Sequence, residues 1–455
     1  MKQIIYAHPT ILNILGKAQP STSGYRLIKY CLPLQTADGI LLFHTLTREL
    51  LLLTPEEYAD ALGSAYLREH WFAVPESLCE EELVELVRWV RKSLHKSPKA
   101  INYYTILTTT DCNARCFYCY ERGCTKVSMD EETARKTIAY IKAHCGGQKV
   151  KLSWFGGEPL VNYPVIDQIC QGLTLEGVDF ESQMTSNAYL LDDDIIAKAV
   201  DSWNLKGVQI TLDGTEAVYN RSKAFIYREG SAYQVVLGNI SRALDAGLAI
   251  LIRLNMDLNN AADLLALADE LAARFAHQKK LRVYAHLLFD TDDPEGKRYS
   301  EAEWDRLYAA LHQLEEKLLG HGLSNAEKKG LRRDLPMSHC MADNGSAVVI
   351  VPDGHIGLCE HFSESELIGH IDSPTFDKDM IASWRERREK LPECGDCFYY
   401  PECVSLKKCN GSPKCNDHVR QGILEKTHQA MANEYRRWQL KTTSHSSEPF
   451  ESGEC

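Results

Sequence analysis

Between residues 103 and 287 the chain repeats one pattern, a short apolar run followed by a segment of helical periodicity. The runs expected as strands are Tyr103–Thr108, Lys149–Trp154, Asp179–Met184, Gly207–Leu212, Ala249–Asn255 and Leu281–Leu287. Helices are expected between them, for example Asp130 to His144 and Ala262 to Phe275. Strands joined through a helix run parallel, because the crossover returns the chain to the same end of the sheet. Such units curl into a barrel, with chemistry at the C-terminal ends of the strands. The expected class is α/β, with a partial (β/α)6 barrel over residues 99–300.

Bulk properties narrow the function. The net charge of −12 argues against nucleic acid as the main partner, since phosphate binding needs a basic surface. No long apolar run suggests a membrane span, and Met1 to Gln19 lacks a signal-peptide pattern, so a cytoplasmic protein is expected. Disulfides do not persist in that compartment. Yet there are 16 cysteines, unevenly placed: three fall in 112–119 and seven between Cys340 and Cys415. Clustering without an export signal points to metal or iron–sulfur sites.

The first group reads Asp111-Cys112-Asn113-Ala114-Arg115-Cys116-Phe117-Tyr118-Cys119, directly after the first expected strand. Three thiolates at Cys-x3-Cys-x2-Cys spacing can hold three irons of a 4Fe–4S cube and leave the fourth open for another ligand. The competing readings are a zinc site, which normally wants four ligands, or three core thiols. The spacing, with Tyr118 before the last cysteine, resembles the signature of radical S-adenosylmethionine (SAM) enzymes. That resemblance implies a cluster on Cys112, Cys116 and Cys119 whose vacant iron chelates S-adenosylmethionine. It also implies reductive cleavage to a 5′-deoxyadenosyl radical and a reducing partner such as flavodoxin or ferredoxin.

The resemblance continues along the expected barrel. Gly156-Gly157-Glu158-Pro159 after the second strand matches a run that contacts the methionyl amine, with glycines for close backbone approach and Glu158 as acceptor. Ser186 and Asn187 end the third strand where the family commonly has Thr-Asn-Gly; Ala188 stands in the glycine's place. Arg221 lies where related enzymes pair an arginine with the methionyl carboxylate. Arg253 and Asn255 share one face of the fifth strand by period two, facing cofactor or substrate, or forming a structural network.

The second cysteine group, Cys340-x13-Gly354-x4-Cys359 then Cys394-x2-Cys397-x5-Cys403-x5-Cys409-x5-Cys415, resembles the SPASM extension with two auxiliary 4Fe–4S clusters. The usual pattern has Cys-x3-Cys where this chain has Cys403-x5-Cys409. Carried over, Cys394, Cys397, Cys403 and Cys415 hold one cluster and Cys340, Cys359 and Cys409 the other. The missing fourth ligand is a substrate cysteine, Cys455 or a histidine such as His355. A zinc ribbon on Cys394 and Cys397 is the rival. Glu360 follows Cys359 where sulfatase-maturing relatives carry a catalytic base; a solvated glutamate is the plain alternative.

Residues 1–98 read as a separate module: extended Arg26–Leu34, Gly39–Phe43 and Glu49–Leu53, a helix start at Thr54-Pro55-Glu56-Glu57, and a helix over Glu80–Ser93. This resembles the winged-helix peptide-recognition domain of peptide-modifying enzymes, which takes a leader as an added strand; a simple cap on the barrel is the alternative. Residues 301–335 form a helical connector, 336–440 the SPASM domain and 441–455 a disordered tail. The expected function is a radical SAM maturase crosslinking a ribosomal precursor peptide that carries a leader. The alternatives are an anaerobic sulfatase maturase forming formylglycine, and a zinc-stapled peptide adaptor.

Overall fold

A computed structural model describes residues 3–445 except 8, 19–23, 95–97, 99, 228, 289–298, 325–328, 339, 361–365, 374 and 410–414. The N-terminal strands are β1 (Gln3–Tyr6), β2 (Tyr25–Leu27), β3 (Cys31–Thr36), β4 (Gly39–His44), β5 (Leu50–Leu53) and β6 (Ala73–Pro75). An antiparallel sheet has the order β1-β5-β4-β3, and β2 pairs with β6 alone. The expected run Arg26–Leu34 is therefore broken. Its two ends join different sheets, and Ile28 and Tyr30 between them are buried. Gly39 makes the β3–β4 turn possible: φ is +141° and a Cβ there would lie 2.3 Å from the Leu53 carbonyl oxygen. Thr54 caps helix Pro55–Ala59 where a helix start is expected, and with Glu57 it forms a capping box.

The barrel strands are β7 (Tyr103–Thr109), β8 (Val150–Gly156), β9 (Phe180–Ser186), β10 (Leu205–Leu212), β11 (Ala249–Met256) and β12 (Leu281–Leu287). They run parallel, each beside its sequence neighbour. Trp154, Ile210 and Ile252 are fully buried under flanking helices such as Glu131–His144 and Ala261–Phe275. Helix Glu301–Gly320, in the expected connector, adds Leu307, Leu314 and Leu318 to the same core.

The sheet does not stop at the six units. From the cysteine-rich segment come β13 (Ala347–Ile350), β14 (His355–Gly357) and β15 (Gly369–His370). β13 lies parallel to β7, with Ala347 opposite Tyr103, and the order becomes β12-β11-β10-β9-β8-β7-β13-β14-β15. One hydrogen-bonded sheet thus crosses the expected boundary at 336.

The N-terminal module rests on the same C-terminal segment. Tyr30 stacks on Tyr400, and Cys394 and Cys397 pack against the module's core. Arg48, 1% exposed, pairs with buried Glu402 and also donates to the Arg332 carbonyl. Helix Asp417–His445 sets Met431 and Tyr435 against Tyr6 and Phe43. That helix runs into the stretch expected to be disordered, as far as His445; the remainder of that stretch lies outside the described residues. No helix among the described residues is long and apolar enough to cross a membrane.

Candidate active site at the strand ends

β7 ends at Thr109, and the loop with Cys112, Cys116 and Cys119 begins there. Thr109 Oγ1 accepts the Asp111 N–H (2.9 Å), and Asp111 Oδ1 accepts the Cys112 N–H (2.8 Å). The loop is tied to a second element: Arg115 N–H donates to the Lys223 carbonyl (2.8 Å) and Ile226 N–H to the Asn113 carbonyl (2.9 Å). Burial, then the Glu158 charge, pushes the Cys112 thiol up to about 12; burial pushes Cys119 up to about 11. Thiols that resist ionisation alone are deprotonated when a metal binds them.

The Gly156-Gly157 turn presses on this loop. A Cβ on Gly156 would meet the Thr109 carbonyl oxygen at 2.2 Å, and one on Gly157 the Asp111 oxygen at 2.3 Å. Glu158, 1% exposed, turns inward. Its Oε1 accepts from Ser186 Oγ (2.8 Å) and Leu160 N–H (3.1 Å), and its Oε2 from Asn187 N–H (2.7 Å). A carboxylate has about four acceptor positions, so Glu158 keeps one for a further donor. Burial raises its carboxyl to about 7, against the lowering effect of these hydrogen bonds. Asn187 Nδ2 donates to Asn113 Oδ1 (2.6 Å), linking β9 to the loop.

Of the other cofactor candidates, Arg253 Nε donates to Asn255 Oδ1 (2.9 Å) and its Nη2 meets His286 Nδ1 (3.0 Å). Asn255 in turn donates to Asp213 Oδ1 (3.3 Å). These residues form a polar chain across the strand ends. Arg221 is exposed on helix Glu216–Lys223. The inward cation is Lys223, two residues later and 2% exposed, which the sequence reading missed. It bonds Tyr118 Oη (2.7 Å) and Thr211 Oγ1 (2.6 Å) and pairs with Asp213 (3.2 Å).

The second cysteine group gathers in two places. Burial pushes the Cys397 thiol up, aided by the neighbouring Cys415, Cys403 and Cys394, so these four share one neighbourhood. Cys340 feels Cys409 and Glu360 in the same way, after burial. Cys359 and Glu360 lie near Tyr120, the residue after Cys119. Glu360 is half-buried. Two arginines outside the sequence motifs hold these loops: Arg88 donates to the Tyr400 (2.7 Å) and Cys403 (2.8 Å) carbonyls, and Arg388 to those of Leu406 and Cys409. His355 pairs with Asp353 (3.0 Å) on β14. Cys455 lies outside the described residues.

Among the described residues no three His, Cys, Asp or Glu side chains converge as ligands of one metal ion. A cube carries its irons at separate corners, so its thiolates stand farther apart than ligands around a single ion. The all-thiol donor set on a loop pinned at both ends fits an iron–sulfur cube.

Residues 106–271 match the Radical SAM superfamily. In sequence the chain is 27% identical over 299 residues to a GTP 3',8-cyclase of Peptoclostridium acidaminophilum, covering 59% of this chain and 83% of that protein. It is 30% identical over 191 residues to one of Moorella thermoacetica, covering 41% and 55%. In structure it is similar to native anSMEcpe with bound AdoMet and Cp18Cys peptide (TM-score 0.57, 14% identity, 74% of this chain and 99% of that one). It is also similar to Streptococcus suis SuiB bound to precursor peptide SuiA (TM-score 0.51, 13% identity, 84% and 95%). At such identities the structural likeness is one of fold. Over residues 106–271, which include its three-cysteine loop, the chain is similar to the Radical SAM superfamily.

Proposed function

We propose that the protein is a radical SAM maturase that installs a crosslink, thioether or carbon–carbon, in a ribosomally made precursor peptide. The observation that carries this reading is the grouping of Cys394, Cys397, Cys403 and Cys415 beneath a separate N-terminal module, next to a barrel with a three-cysteine loop. A single-electron cleavage needs one cluster; removing a second electron from a substrate radical calls for further acceptors, and the second cysteine field supplies ligands for them. Solved neighbours of this fold hold peptides, Cp18Cys in anSMEcpe and SuiA in SuiB.

When bound, S-adenosylmethionine and its cluster supply a radical that takes a hydrogen atom. The chain's own residues hold and shield. Glu158, with its remaining acceptor position, orients the methionyl ammonium. The Gly156-Gly157 turn keeps that donor close to the cysteine loop. Forming a thioether removes two hydrogens from the peptide. One would be taken as an atom by the radical that bound S-adenosylmethionine supplies and the other lost as a proton, its electron going to a cluster that Cys394, Cys397, Cys403 and Cys415 would hold.

The sequence relatives favour a second reading, a purine nucleotide substrate such as GTP, because the match covers most of a GTP 3',8-cyclase. The two separate in one experiment. Anaerobically reconstituted protein is given reductant, S-adenosylmethionine and either a candidate peptide or GTP. The maturase makes 5′-deoxyadenosine and a peptide lighter by two hydrogens, its thiol blocked to alkylation if a thioether forms. Consumption of GTP with no change in any peptide overturns the maturase. Protein that binds zinc and no iron overturns both.

A further inference from the structure

We propose that Lys223 is a positioning residue for the cluster loop, its buried ammonium fixing Tyr118 and setting a positive field that raises the reduction potential of the iron–sulfur group on Cys112, Cys116 and Cys119. The inference rests on reading that loop as a cluster site. Tyr118 lies between the second and third cysteines. Its hydroxyl accepts from Lys223 Nζ (2.7 Å) and donates to Asp213 Oδ2 (2.8 Å). The side chains of Lys223 and Asp213 are 3% and 2% exposed.

A buried ion pair contributes little net stability, since an apolar pair of the same volume does as well or better. What an apolar pair cannot supply is a charge, and at low dielectric a charge acts strongly over short distances. The two ends of the pair differ. Asp213 meets the loop at Tyr118 through Oδ2, while its Oδ1 accepts from Asn255 and its backbone carbonyl from Asn260 (2.9 Å). Lys223 also holds the loop through its backbone, whose carbonyl accepts the Arg115 N–H, and its ammonium stands over the Tyr118 ring while donating to Thr211 Oγ1 (2.6 Å). Adding an electron to a cluster adds negative charge, and nearby positive charge favours it.

The test measures iron content and the cluster's midpoint potential, by redox titration followed by electron paramagnetic resonance, in the full-length reconstituted protein. Lys223→Met should bind iron with a more negative potential, Lys223→Arg should stay close to the parent, and Asp213→Asn should move the potential positive. A purely structural role moves both neutralised variants the same way or neither, and that result overturns the proposal. If Lys223→Met holds no iron, the sign of the shift in Asp213→Asn decides alone. A parent chain that binds no iron sinks the cluster reading itself, whereas iron with unmoved potentials sinks only the role of Lys223.

Discussion

Ala188 shows how a single residue records what its position demands. It follows Ser186 and Asn187, is fully buried and has φ of +61°. Its N–H donates to Ser186 Oγ (2.9 Å) and its carbonyl accepts from Asn239 (2.7 Å), so the left-handed conformation is held from both sides. A Cβ makes that conformation cost about 1–2 kcal/mol. Ala188→Gly should therefore stabilise the fold by about 1 kcal/mol in urea unfolding, less the extra entropy glycine gives the unfolded chain. His44 makes an opposite case. Its Nδ1 accepts from the Leu46 and Thr47 N–H groups and its Nε2 meets the Trp71 carbonyl (3.1 Å), so the ring sits neutral with no place for a second proton. Burial, with the Arg48 charge, lowers it to about 3, despite the bond to Trp71. The unfolded chain then binds the proton more readily. Stability is full above pH 6.5 and falls as pH drops towards 3, by at most about 1.4 kcal/mol per unit. Urea midpoints across that range should show this slope in the parent and lose it in His44→Gln.

At the level of elements, the turn after β8 and the loop after β7 form one unit. Gly157→Ala should push the loop off its seat, because backbone rather than a flexible side chain meets the new Cβ. The expected outcome is loss of most reconstituted iron, with far-ultraviolet circular dichroism unchanged; full iron content would refute the coupling. Both pieces were legible in the sequence, since each is defined by residues close together in the chain. Strand positions were legible to within about two residues for the same reason. Helix Glu216–Lys223 was not. Arg221 and Lys223 lie on different sides of a helix, so which cation enters the pocket depends on helix phase. That phase is set by Asp263, which accepts from Thr215 N–H (2.6 Å) and Oγ1 (2.8 Å) from another helix. No local signal reports such a bond. The broken run Arg26–Leu34 has a similar origin: its partners, β6 and β4, come later in the chain.

On the scale of the molecule, the N-terminal module and the cysteine-rich segment share buried charge. Glu402→Ala would leave the Arg48 guanidinium without its carboxylate at 1% exposure. Removing one partner of a buried pair costs about 3–5 kcal/mol, and here the loss falls on the contact between module and loop. The expected result is a lower thermal midpoint and faster proteolysis of the module, measured by limited digestion. Replacing both Arg48 and Glu402 by Met should restore much of the stability.

The pairing of β13 with β7 bears on how the polypeptide must be made. Tyr103–Thr109 emerges from the ribosome early, yet one flank of its backbone finds its mate only when Ala347–Ile350 has been synthesised. Until then the nascent barrel offers an unsatisfied strand edge, a template for association with other chains. A fragment that ends before β13 should therefore clump rather than remain dispersed, and the intact chain should complete its sheet only after Ala347–Ile350 has emerged.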